Sequence, residues 1–416
     1  MNDVATAQGQ ALGEFFDPET IENPFAWYAR ALAEGPVATV AGGTVKMVLS
    51  HALVSEAAGR PQDFSSDFGA MMRGNAVADP EIAAIEAQGW PTVDTMLTAD
   101  PPVHTRFRKL VNLAFSMPRV NALENGIRAI VDRLVDRLAS GETIEFVDDF
   151  AVPLPVEVIA GQIGMENDAE RVKHWSDAFA DRLGGMASRE REIEAARAIL
   201  DYQRFAKAQI DMRRGGNGPD DLLSAIVNAR IEGERPLDDA EVMSVLQQLM
   251  VAGNETTTST LAGGLLLLIR HPDQMAKVRA NPALIPNMVE EMLRLLSPVG
   301  GLWRVALHDT TLGDVPVAKG EMLMLRFAAA NRDPAVYPDP DRFDVERKNA
   351  RTHLAFGRGI HMCVGNMLAR KELAVAFERL LARIDHFELP EGMNDFRHVP
   401  NKLLRGLAAL HVRATA

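Results

Sequence analysis

Along most of the chain, apolar residues return every three to four positions, the spacing that puts them on one face of a helix. That period predicts helices over Ala52–Ala58, Thr105–Ala114, Asn121–Ala139 and Val156–Gly164, a long polar-faced stretch from Ala169 to Arg213, and a helix over Asp221–Ile231. Three more are predicted over Asp239–Ile269, Ile285–Leu296 and Val364–Ile384. Glycine and proline clusters punctuate them, as at Gly215-Gly216-Asn217-Gly218-Pro219 and His271-Pro272. Period-two alternation is confined to short pieces. Val37–Leu49 reads as a hairpin around Gly42-Gly43, Val305–Leu325 as short strands, and Leu403–Val412 as a terminal pair. The pattern predicts a mainly α fold with a long central helix and small β-sheets.

No repeat or low-complexity linker divides the chain, so a single domain is expected over residues 14–416, with residues 1–13 as a flexible N-terminus. The stretch from Phe64 to Pro102 is irregular and rich in Met and Gly, and long loops inside packed domains are often functional. Met1 to Phe16 has no basic or long apolar run, so neither a signal peptide nor an anchor is read there. The most apolar segment, Leu249 to Ile269, is interrupted by Asn254, Glu255 and a run of threonines, which suits a buried helix better than a membrane span.

Composition narrows the partners. Of 416 residues, 47% are hydrophobic, enough for a large core, and the net charge of -13 argues against nucleic acid or an anionic membrane as partner. A single cysteine excludes an intramolecular disulfide and a Cys-rich zinc cluster, and fits a reducing cytoplasm.

That cysteine, Cys363, lies in Phe356-Gly357-Arg358-Gly359-Ile360-His361-Met362-Cys363-Val364-Gly365. Two glycines let the backbone turn tightly and approach a flat ligand. Placed where a helix begins, the sulfur meets backbone N–H groups that favour thiolate over thiol. Read alone, a lone cysteine is a small buried hydrophobe. The ten-residue pattern Phe-x-x-Gly-x-His-x-Cys-x-Gly, however, resembles the cysteine-ligand loop of cytochromes P450 at every defining position. The resemblance implies that Cys363 ligates the iron of haem b, with Phe356, Gly357, His361 and Gly365 around the cofactor.

Three further constellations extend the resemblance over nearly the whole chain. On the long helix, which Asp238 can cap, Ala252 and Thr256 stand one turn apart and share a face, with Gly253, Asn254 and Glu255 between them. A carboxylate in so apolar a helix is costly unless it is paired or useful. The segment is similar to the family's oxygen-activation motif, which makes Glu255 the proton-relaying acid and Thr256 the partner of dioxygen. Glu291-Met292-Leu293-Arg294 matches the family's structural ion pair, and Pro340-Asp341-Arg342-Phe343 resembles the segment that supplies its third member, expected to be Arg342. His104 and Arg108, one turn apart, together with Arg304 and His361, map onto groups that bind the haem propionates.

The resemblance implies a bacterial, ferredoxin-dependent monooxygenase that hydroxylates a lipophilic small molecule (terpenoid, steroid or alkyl-aromatic) with O2 and two electrons. The chain has no flavin or iron–sulfur module, so electrons are expected from a ferredoxin served by a flavin-containing reductase. Arg106, Lys109, Arg358, Arg370 and Lys371 are expected to form a local basic patch for it. Pocket residues expected by analogy are Met96 and its neighbours in the Met71–Leu97 loop, Gln248, Val251, Ala252, Val299, Gly300, Gly301, Leu302 and Leu403, with Gln248 the polar group able to orient a hydroxyl or carbonyl. A peroxide-driven peroxygenase of the same fold and a non-catalytic haem-thiolate sensor are the competing readings. Fatty-acid-using members of the former typically lack the acid–threonine pair present here, and the latter needs no proton relay.

Overall fold

The computed structural model describes residues 14–40, 43, 45–68, 79–165, 168–184, 187–216 and 218–415. The expected flexible segment 1–13, Gly42 of the first hairpin and Met71 of the expected pocket loop lie outside them. The main helices are α1 (Phe25–Glu34), α2 (His51–Ala58), α3 (Val103–Ala114), α4 (Glu124–Leu138), α5 (Pro153–Ile163), α6 (Ala169–Gly184), α7 (Arg189–Arg213), α8 (Asp239–Arg270), α9 (Ile285–Leu296) and α10 (Asn366–Arg383). The strands are β1 (Val37–Val40), β2 (Val45–Val48), β3 (Phe64–Ser65), β4 (Ser140–Glu145), β5 (Leu302–Ala306), β6 (Thr310–Leu312), β7 (Val315–Val317), β8 (Met322–Leu325), β9 (His386–Glu388) and β10 (His411–Thr415).

Helix α8 organises the molecule. Its 32 residues start at a capping box, in which the Asp238 carboxylate accepts from the Glu241 amide and Glu241 accepts from the Asp238 amide. Such reciprocal capping satisfies two amides that a helix start leaves free. At ~1.5 Å per residue α8 is ~48 Å long, enough to cross the domain. Helices α5, α6, α9 and α10 pack around it. At Gly264 a Cβ would sit 2.7 Å from the Phe377 ring of α10 and 2.9 Å from Met292 Sδ of α9, so a side chain there would push the three helices apart. No helix among the described residues is long and apolar enough to cross a membrane.

The strands form a five-stranded sheet in the order β1-β2-β8-β5-β3, a three-stranded sheet β4-β10-β9, and the pair β6-β7. The expected terminal pair within Leu403–Val412 does not form. Instead β10 pairs with β4 and β9, while Leu404 and Leu407 make single bridges to Val299 and His398. Several helices also differ from expectation. Asn121–Ala139 begins as a separate short helix, Met117–Ala122, before α4. The stretch from Ala169 to Arg213 is two helices, the second capped by Ser188, which accepts from the Arg191 amide. The helix expected over Asp221–Ile231 ends at Val227, where the Asn228 amide donates to the Arg213 and Ser224 carbonyls and takes over the role of another turn.

Candidate functional site

One cavity lies between α8 and the Cys363 loop, with about 1530 Å³ of empty space including the open solvent at its mouth. Its floor is the loop. Gly357 and Gly359 have φ of +67° and +71°, conformations that L side chains avoid, and a Cβ on Gly359 would come within 2.4 Å of the Ala58 carbonyl. The Cys363 amide donates to the Phe356 carbonyl (2.8 Å) and closes the turn. Helix α10 starts at Asn366, three residues beyond the cysteine rather than at it. Burial pushes the Cys363 thiol up; the Gly365 amide, Arg108, Arg370 and the Asn366 amide all pull the other way. Every one of those neighbours stabilises negative sulfur, and a bound cation would complete the balance.

One edge of the cavity is cationic. Arg108 from α3, Arg304 from β5 and His361 from the loop line it, while His104 of α3 does not reach the lining and packs against the His361 imidazole at 4.3 Å. His361 donates from Nδ1 to the Met96 carbonyl (3.1 Å) and accepts at Nε2 from the Ser66 hydroxyl (2.9 Å). Burial, then Arg304, holds its pKa down at about 3, so it is neutral at pH 7. Burial lowers Arg304 to about 10 against a weaker pull from Asp100. Neither Arg108 nor Arg304 is ion-paired to a carboxylate among the described residues, and His104 Nε2 is buried without a partner. Buried cations with no anion are costly. The set lacks what the two carboxylates of a haem would bring, while the thiol floor lacks a metal cation. These residues fit that cofactor.

Helix α8 forms the roof. Thr256 donates to the Ala252 carbonyl (2.6 Å), Ser259 to Glu255 (2.7 Å) and Thr260 to Thr256 (2.8 Å). Consecutive hydroxyl bonds to the preceding turn loosen and bend a helix. Gly253, Thr256 and Thr257 line the cavity, whereas Glu255 points out of it toward α6. There burial pushes the Glu255 carboxyl up, Lys173 opposes, and Asp177 and Asp181 add to the rise. The acid thus stands between the surface-facing side of α6 and the turn that carries Thr256.

Glu372 of α10 also lines the cavity, and the sequence reading did not single it out. It is 4% exposed, and burial alone raises its pKa to about 8. A carboxyl that titrates near 4.5 when unfolded and near 8 when folded keeps its full stability contribution below pH 4.5 and loses it as pH rises to 8. Thermal unfolding of the haem-loaded protein should therefore show stability falling with pH across that window, and Glu372→Gln should flatten the slope.

Beneath the floor, Glu291 and Arg294 pair bidentately at 2.7 and 2.8 Å, both fully buried. The third member is Arg347, whose Nε donates to Glu291 at 2.9 Å, and not Arg342. Arg342 turns its side chain outward and offers only its carbonyl, which accepts from Arg347 at 3.0 Å. Breaking a buried ion pair by removing one partner costs about 3–5 kcal/mol, whereas exposed substitutions stay within about ±0.5 kcal/mol. Arg347→Ala is expected to destabilise by about 3 kcal/mol or more in denaturant unfolding, and Arg342→Ala to be near neutral.

Two other expectations need correction. Arg106 is tied to Glu241, Arg370 to Glu290 and Lys371 to Glu124, leaving Lys109 and Arg358 as the exposed members of the expected patch with no ion pair among the described residues. Of the expected pocket residues, Met96, Gln248, Ala252, Val299 and Leu302 line the cavity; Val251, Gly300, Gly301 and Leu403 do not. Val251 packs into the core formed with α5 to α7. Gly300 and Gly301 lie against Arg326 and the Leu325 carbonyl, and Leu403 joins the cluster around Trp27 and Tyr28.

Comparison with known proteins agrees with this geometry. The family model described as Cytochrome P450 matches residues 173–406. The chain is 35% identical over 409 residues to Cytochrome P450 107B1 of Saccharopolyspora erythraea, covering 96% of this chain and 97% of that protein. It is 32% identical over 401 residues to Linalool 8-monooxygenase of Pseudomonas putida, covering 95% and 97%. The crystal structure of CYP109E1 from Bacillus megaterium in complex with corticosterone superposes with a TM-score of 0.83 at 29% identity, covering 96% of this chain and all of that one.

Proposed function

Because the chain belongs to the cytochrome P450 family, whose members use haem held by a cysteine thiolate, we propose that this monooxygenase hydroxylates an uncharged lipophilic molecule, a terpenoid or a steroid, with electrons from a ferredoxin. The observation that carries the reading is the juxtaposition of Cys363 and Thr256 across one cavity whose upper lining, from Met96, Leu97, Leu249, Val299 and Leu302, is apolar. Such a lining rewards burial of hydrocarbon and penalises charge. The names of two similar proteins, one for linalool and one bound to corticosterone, point to the same substrate range.

A haem held by thiolate supplies oxygen activation when bound. The chain supplies the rest. Cys363 offers sulfur in a setting of amides and arginines that favours its anion. Arg108 and Arg304, with His104 beside them, would hold the cofactor's carboxylates; His361, expected to join them, has both ring nitrogens engaged by Met96 and Ser66 and packs against His104 instead. Thr256 spends its proton on the Ala252 carbonyl, so its oxygen is left to accept a hydrogen bond from a group in the cavity. Glu255, held protonated more readily than an exposed acid, passes protons from the α6 side to that turn.

Electrons enter on the face of the Cys363 loop, where Lys109 and Arg358 are exposed and Met362 is 46% exposed. With Lys109 and Arg358 the members of the expected patch left unpaired among the described residues, docking of an acidic ferredoxin depends on salt weakly, and reversing both charges should raise its KM several-fold while leaving kcat near its original value. A cytoplasmic setting suits the single thiolate. The deciding experiment is the spectrum of the dithionite-reduced, CO-treated protein, followed by a screen of terpenes and steroids for the shift that accompanies loss of iron-bound water. A histidine-type CO spectrum, or no shift with any lipophile, would remove the proposal.

A further inference from the structure

Gln248 stands one helical turn before Ala252 and two before Thr256 on α8, so the three share the face that roofs the cavity. Its side chain lines the cavity, yet makes no hydrogen bond to any described residue, and its Oε1 is sealed from solvent. An amide oxygen sealed from water with no partner costs roughly 1–3 kcal/mol unless something answers it. Met96, Leu97, Val299 and Leu302 are apolar, and the neighbouring Leu249 likewise.

We infer that Gln248 is the specificity-determining residue of this pocket, and that its carboxamide holds an oxygen function (hydroxyl or carbonyl) carried by the substrate one helical turn away from the carbon that is oxidised. The inference rests on the monooxygenase reading above and narrows its substrate class. Ala252 and Thr256 mark the position of the reacting carbon along α8. Four residues separate Gln248 from Ala252, ~6 Å along the axis, and side chains lean toward the helix N-terminus, which adds to that span. The substrate therefore carries its oxygen roughly 6–9 Å from the site of attack, at the far end of a rigid or extended hydrocarbon. A hydroxyl answers either orientation of the amide, because it both donates and accepts; a carbonyl answers only the Nε2 end. A pure hydrocarbon leaves the amide unpaired and is disfavoured.

Matched pairs test this: terpene alcohols against their parent hydrocarbons, and 17-hydroxy or 17-keto steroids against the 17-deoxy skeleton. Each is titrated into the haem-loaded protein and into Gln248→Leu, which keeps the volume and removes the amide. The oxygenated member of at least one pair should bind about tenfold tighter than its partner in the parent protein, the size of one net hydrogen bond. In Gln248→Leu the ratio should fall to near one through weaker binding of the oxygenated member. Product analysis should show attack at a single carbon in the parent protein and at several in the variant. Equal affinity within every pair, a ratio that survives Gln248→Leu, or no response to any oxygenated compound would each overturn the inference. The reduced CO spectrum of both proteins separates this from failure of the family reading: a thiolate-type band with equal affinities sinks the anchor alone.

Discussion

Cys363→Ser is expected to keep the fold, bind haem weakly, and lose both the thiolate-type CO spectrum and turnover. The Cys363 sulfur meets the Gly365 and Asn366 amides, which a serine oxygen can also accept from, so replacement by this smaller polar residue removes little packing. The cationic groups proposed to hold the cofactor's carboxylates, Arg108 and Arg304 with His104 beside them, are untouched, so some cofactor should be retained. What disappears is the sulfur anion. A serine hydroxyl is far harder to ionise than a thiol, and the Gly365 and Asn366 amides with Arg108 and Arg370 are too weak an environment to deprotonate it. The loss should exceed the roughly 10–100-fold typical of losing a partner behind a metal ligand, because here the ligand itself is gone. The checks are a far-UV melting curve close to that of the parent, a shifted CO spectrum, and no detectable product. A parent-like CO spectrum in the variant would mean that sulfur at 363 is not the ligand.

How much of this site was legible in the sequence depends on the distance over which each signal acts. The Cys363 loop and the Ala252–Thr256 turn are contiguous, and their glycines and hydroxyls have local jobs, so their resemblance to the family's short motifs could single them out. The long helix was also legible, because its capping residue and apolar period are both local: Asp239–Ile269 was expected and Asp239–Arg270 is found. The β4–β10 pairing was not. It joins Thr143 to Arg413, and nothing in either segment names the other. The helix breaks near Leu123 and after Val227 were missed because apolar period continues through them; the Asn228 side chain ends the second, and Pro118 fixes the start of the short helix that precedes the first.

Arg342 and Arg347 show how a residue can be misplaced with the right network in view. Both flank Phe343 in one irregular segment, and composition cannot say which guanidinium turns inward. The alternation could. Phe343, Val345 and Arg347 are buried while Arg342 and Glu346 are exposed, the period-two pattern of an extended strip with one face on the core. The basic patch failed for a different reason: positive residues were counted without their carboxylates, and Glu241, Glu290 and Glu124 are brought to Arg106, Arg370 and Lys371 only by folding.

Thr256→Ala and Glu255→Gln should separate holding a proton from delivering it. In Thr256→Ala the hydroxyl that bonds the Ala252 carbonyl is lost, so the cavity loses its acceptor at that turn while haem and substrate sites stay intact. Oxygen and electrons should still be consumed, with most of the flow leaving as hydrogen peroxide; Thr256→Ser should restore coupling. Thr257 also lines the cavity, and Thr257→Ala is the control, expected to stay coupled. In Glu255→Gln the acid is gone, and turnover should fall by about 10²-fold or more, within the range that positioned acid–base groups contribute. The pH profile then identifies the group. Burial, with Asp177 and Asp181, raises Glu255, so its proton-donating form prevails at low pH and is lost as pH rises through that raised value. The parent rate should decline with pH there, and Glu255→Gln should be slow and flat. A Glu255→Gln profile with the parent's slope would move the relay to another acid, and normal coupling in Thr256→Ala would remove Thr256 from it.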